Sequence, residues 1–131
     1  MGLDMYLTGD KFVPEYQDKF PRAKVDSYPV ESQRLKLGYW RKHWALHNYI
    51  EANYNDGDCC VKVDLGPIAL REIADAVEQG ELPDANYSDE VDACHKEPDQ
   101  VAKTVKILRD AADWLDTLDH TWKSVEYYGS W

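Results

Sequence analysis

The spacing of apolar residues changes along this 131-residue chain, and the change limits the folds open to it. At the start, Leu3, Met5 and Leu7 alternate with Asp4, Tyr6 and Thr8, the period of a strand with one buried face. Trp122–Trp131 alternates too and predicts a C-terminal strand. Between these ends the period lengthens. Leu70, Ile73, Ala74 and Val77 recur at helical spacing, as do Val101, Val105, Leu108, Ala112 and Leu115. Pro67 suits the first turn of the former helix, with Asp64 as its cap and Gly80 as its close, while Pro98 opens the latter. A heavier stripe, Leu37, Trp40, Trp44, His47 and Ile50, widened by Tyr39, His43 and Leu46, predicts a helix over Leu35–Asn53 and makes it the most buried element.

The intervening segments read as connections. Residues 9–33 hold Pro14, Pro21 and Pro29 and predict turns with a short strand near Val25–Val30. Asn55–Asp58 predicts a turn, Cys59–Val63 a short strand, and the acidic residues 81–97 a loop. Strands at both ends with helices between define an α+β fold: one domain over residues 1–131, with about three helices on a small, mainly antiparallel sheet.

A hydrophobic content of 44% is enough apolar surface to offset chain entropy, which excludes global disorder. Nine Tyr and five Trp against two Phe favour rings with a polar tip, suited to core edges and contact surfaces alike. No run approaches the ~20 apolar residues of a membrane span. Met1–Leu7 has neither the basic stretch nor the apolar core of a secretory signal, and the cysteine count is odd. The expected compartment is therefore a reducing cytoplasm.

Charge is divided unevenly. Residues 1–55 carry eight Lys/Arg against seven Asp/Glu, whereas residues 56–131 carry seven against 18, so the formal net charge of −10 resides in the C-terminal part. That argues against direct contact with nucleic acid and for a protein partner with a basic surface. The candidate contact residues are Asp89, Glu90, Asp92, Asp99, Asp110, Asp113 and Asp116, since rows of carboxylates can mimic the phosphates of DNA in a basic groove. The plainer reading is that this acidity keeps a small protein in solution.

Motifs for chemistry are sparse. His43 and His47 stand four apart and could hold a metal from one helix face, with Cys59, Cys60, Cys94 and His95 as further donors. The metalloprotease glutamate and any C-x-x-C pair are absent, so buried or edge histidines and free buried cysteines are the default, and neither a metal nor a cofactor is expected. Cys59 or Cys60 beside His47 or His95 could in principle act as a nucleophile, but the chain has no phosphate-binding loop, dinucleotide fingerprint or nucleophile elbow. No catalytic residue is assigned. The basic pair Arg41-Lys42 beside Tyr39-Trp40 fits a salt bridge to Asp4 or to the acidic half better than a phosphate grip.

Three segments carry a resemblance: Met-Gly-Leu-Asp-Met-Tyr-Leu (Met1–Leu7), Leu-Gly-Tyr-Trp-Arg-Lys with Ala-Leu-His (Leu37–Lys42, Ala45–His47), and Tyr-Tyr-x-Ser-Trp (Tyr127–Trp131). In their order and spacing they resemble a family of small, uncharacterised proteins of bacteriophages and prophages. Asp58-Cys59 and the Val101–Leu118 helix fall where similar proteins have an Asp-Asp-Cys step and a helix. Residues 81–97 depart, being acidic where that family has an aromatic and glycine-rich stretch. The resemblance implies an accessory protein made inside an infected bacterium, outside the virion, and brings no activity or cofactor. In that context the leading expectation is inhibition by binding of a host or anti-phage defence protein, nuclease and CRISPR effector complexes included. The alternative is a small enzyme or ligand-binding protein with a site at Asp4, Tyr39, Arg41, His47 and Cys59, the polar positions that the resemblance singles out. A third reading makes Asp4 and Arg41 a buried pair that only holds the first strand on the first helix.

Overall fold

Asp4–Phe12 forms β1, and its alternation resolves as expected: Leu3, Met5 and Leu7 are fully buried while Asp4, Tyr6 and Thr8 face the other way. The computed structural model describes residues 3–12, 24–29, 32–55, 62–82, 97–118 and 121–130. β2 (Lys24–Val25) and β3 (Tyr28–Pro29) make a small antiparallel hairpin, turned by Asp26 and Ser27 at positive φ, within the segment expected to hold a short strand. β4 is Ser32–Arg41, α1 Trp44–Tyr54, β5 Val63–Asp64, α2 Pro67–Glu78, α3 Pro98–Asp116 and β6 Trp122–Ser130. β4, β1, β6 and β5 lie side by side in that order, each pair antiparallel. The result is a small single-domain α+β arrangement, with three helices among the described residues.

The helix expected over Leu35–Asn53 is two elements, and its first third is strand. Ser32–Arg41 pairs with β1 along its length, so Leu37, Tyr39 and Trp40 belong to the sheet. A bulge causes the misreading. Leu7 pairs with Gly38 but Thr8 pairs with Lys36, which leaves Leu37 as an extra residue on β4. Leu37 and Gly38 then both meet the core, and a β-carbon on Gly38 would come 2.5 Å from Ile107 Cγ2 of α3. Lys42, at φ 56°, turns the corner between strand and helix, and its N–H donates to Leu3 O at 2.7 Å. His43 then starts α1, its Nδ1 accepting from the Leu46 N–H at 3.3 Å.

Both later helices follow their apolar spacing. Leu70, Ile73, Ala74 and Val77 are buried on α2, and Val105, Leu108 and Ala112 on α3. Asp64 does not cap α2. It lies in β5 opposite Glu126, and Gly66 takes the cap position ahead of Pro67. Among the described residues no helix is long and apolar enough to cross a membrane.

The three described helices share one core with the sheet face that carries Leu3, Met5, Leu7, Trp40, Val125 and Tyr127. Burying each such leucine or methionine contributes about 1.5–3 kcal/mol, so this interface is the main source of stability. Buried hydrogen bonds also cross it, among them that from Trp40 Nε1–H to Thr104 Oγ1 at 3.0 Å. Among the described residues no helix lies on the other face of the sheet.

Candidate functional site

That second face is ordered by strand register. Tyr39 of β4, Tyr6 of β1 and Tyr128 of β6 are direct cross-strand partners and form one row across three strands. The Tyr6 and Tyr39 rings lie 5.5 Å apart at 51°, and Tyr6 is 38% exposed. Beside this row, Asp4 stands opposite Arg41. The Asp4 carboxylate takes its hydrogen bond from Tyr39, whose O–H donates to Oδ1 at 2.5 Å. That bond, then partial burial and the Asp4 charge, raise the Tyr39 phenol above its ordinary pKa, with Arg41 opposing. Lys36 Nζ lies 5.1 Å from the centre of the Tyr39 ring, and Arg34 pairs with Asp10 at 3.1 Å. Phe12 and Trp122, both exposed, pair at the far end with ring centroids 5.7 Å apart.

Asp4, Tyr39 and Arg41 therefore come together as the second reading requires, but His47 does not join them. It sits on α1 beneath the opposite face of the sheet. Its Nδ1 and the Tyr127 O–H are 2.5 Å apart, and its Nε2 is 3.8 Å from Glu51 Oε1. Glu51 Oε2 accepts from Asn55 Nδ2 at 2.7 Å, and Trp44 meets the His47 ring edge-on. Gly129 makes room for the imidazole: a β-carbon there would stand 2.7 Å from ring atoms. Burial lowers the His47 pKa to about 4 and pushes the Tyr127 phenol well above its usual range. His47, Glu51 and Tyr127 are all buried, so the cluster is a packed polar part of the core.

Cys59 lies outside the described residues, as do Cys60, Cys94 and His95. Among the described residues no group of three His, Cys, Asp or Glu is placed to hold a metal ion. Nor do Asp4 and Arg41 hold the strand on the first helix. Arg41 is exposed, and both side chains point away from the helices.

The acidic helix is also answered from within. Arg71 of α2 donates to Asp113 at 3.1 Å and to Asp116 at 2.6 Å, and Lys106 pairs with Asp110 at 2.6 Å. Arg109 bridges Asp75 and Glu78, both at 3.0 Å. These bonds raise the pKa of each cation. A shallow groove of about 530 Å³ runs along α3 over Val101 and Val105, and its charged rim is spent in the same pairs. Asp99 is exposed in the first turn of α3, where a carboxylate favours the helix dipole; Asp89, Glu90 and Asp92 lie outside the described residues. Because the pairs are exposed, Arg71→Ala is expected to lower Tm by no more than a few degrees, an effect that shrinks with added salt. Thermal melts in low and high salt check this; a large loss independent of salt would contradict a surface ion pair.

Sequence reasoning named Tyr39 and Asp4 but missed Tyr6 and Tyr128. Tyr6 carries a signal, since it is an aromatic on the solvent side of an alternating strand. The Tyr127-Tyr128 pair does too, because neighbours on a strand face opposite ways. No protein-family model, no curated protein and no solved structure matches the chain.

Proposed function

We propose that the protein works by binding another protein, and that the open face of the sheet is its contact surface. In the phage context implied by the resemblance, such binding would inhibit a host or anti-phage defence protein. The observation that carries this reading is the Tyr39–Tyr6–Tyr128 row on a face that no helix among the described residues covers, with Arg41 at its edge. Tyrosine and arginine dominate the energetics of protein interfaces, because each offers a large contact area with a polar end. The face mixes cations with carboxylates, Arg34, Lys36 and Arg41 among Asp4, Asp10 and Glu126, which suits a protein better than a polyphosphate chain. The acidic helix has a different part. Asp110, Asp113 and Asp116 are held by the chain's own cations, so they contribute to the long-range field more than to contact.

Affinity capture from nuclease-treated lysate of the bacterial host tests this with three baits. The wild type should retain one protein partner. Tyr6→Ala with Tyr128→Ala should weaken that partner's Kd at least tenfold, through faster dissociation. Asp110→Lys with Asp113→Lys and Asp116→Lys should change the association rate and leave dissociation nearly unaltered. Loss of binding in the aspartate variant alone would move the contact to α3, and tyrosine variants that bind as tightly as wild type would remove the sheet face.

A further inference from the structure

We infer that the outer edge of β4 receives an extended strand from the partner, one that alternates acidic and apolar residues. This rests on the binding reading above and specifies how the partner docks. β4 is an edge strand of the sheet, and among the described residues nothing pairs with its outer side. Ser32–Lys36 is exposed along its whole length, so the outward N–H and C=O groups of a regular strand face solvent.

Chemistry along this edge is one-sided. In a chain of formal charge −10, the ten residues Ser32–Arg41 contain Arg34, Lys36 and Arg41 and no acidic residue. Two copies of this edge would place like charges against each other, which disfavours self-pairing. An acidic strand meets the opposite situation. Arg34 and Lys36 project on the open face with Asp10 and Thr8, their partners on β1, and would stand beside carboxylates on an added strand. Arg34 spends its Nε on Asp10, and its side chain is still 62% exposed. Between them Leu35 faces the helix side, 36% exposed beyond the cover of the helices, where an apolar residue of the incoming strand would bury it. The alternation demanded of the partner, acidic opposite Arg34 and Lys36 and apolar opposite Leu35, follows from the period of two in a strand. The bulge at Leu37 ends the regular edge, which limits docking to about five residues on the Ser32–Lys36 side.

Peptides selected from a random display library on the whole protein test the inference, followed by amide hydrogen exchange with the tightest selected peptide. The expected result is an alternating acidic and apolar consensus, slowed exchange at amides within residues 32–36, and at least tenfold weaker binding to Arg34→Glu with Lys36→Glu. Peptides that lack the alternation, or that slow exchange only around Tyr6 and Tyr128, would overturn strand addition while leaving the binding reading intact. Peptides insensitive both to the charge reversal and to Tyr6→Ala with Tyr128→Ala would overturn both, and recovery of no peptide would overturn strand addition.

Discussion

Tyr127→Ala is expected to lower the unfolding free energy by about 3–5 kcal/mol, the range for removing a large ring from a packed core. Tyr127 is fully buried on β6 beneath α1, and it is the largest fully buried side chain among the described residues. Against a domain stability of ~5–15 kcal/mol, that loss leaves a chain close to unfolding at growth temperature. Two further variants separate its parts. Tyr127→Phe keeps the ring and removes the O–H that meets His47 Nδ1, so it should cost about 0.5–1.5 kcal/mol. Gly129→Ala pushes a methyl group against the imidazole at 2.7 Å, an overpacking that costs about 1–3 kcal/mol. Urea unfolding of the three variants, analysed at a common slope, is the measurement. An alanine variant within 1 kcal/mol of wild type would show that the ring is not held in the core.

The same residues show why the sequence disclosed some of this structure and hid the rest. β1 was legible because Leu3, Met5 and Leu7 keep a strict alternation, and α2 and α3 because their apolar stripes run unbroken behind Pro67 and Pro98. β4 was not, for a local reason. The bulge places Leu35, Leu37, Gly38 and Trp40 on the core side, and the phase jump turns a period of two into gaps of three that continue into the stripe of α1. The sites were hidden for a different reason, since they depend on pairing between distant segments. Tyr39 reaches Asp4 across 35 positions and His47 reaches Tyr127 across 80, and no periodicity within either segment encodes those meetings. The acidic helix was visible as charge, but its neutralisation required knowing that α2 lies alongside with Arg71 and Arg109 between them.

The His47 cluster predicts an acid-sensitive stability. In the folded protein burial holds the imidazole pKa near 4, against 6.5 for an ordinary histidine. Glu51 Oε1, 3.8 Å away, favours the charged ring, but loss of hydration outweighs it, and the facing groups from β6 and α1, the Tyr127 phenol and the Trp44 indole, offer no charge. The unfolded chain therefore takes up this proton at a higher pH than the folded one. The stabilisation is complete above about pH 6.5, falls as the pH drops, and stops falling once the folded imidazole itself titrates near pH 4. Allowing for partial screening, this one group accounts for about 2 kcal/mol across that window. Carboxylates titrate in the lower part of the range, so the group must be isolated. The ring protons of His47, followed by NMR in the folded protein, should show a midpoint close to 4, and His47→Gln should flatten the upper part of the profile, between pH 6.5 and 5, where most carboxylates remain ionised. A midpoint near 6.5 would mean that the imidazole meets water in the native state, and the packed arrangement of His47, Tyr127 and Gly129 would be wrong.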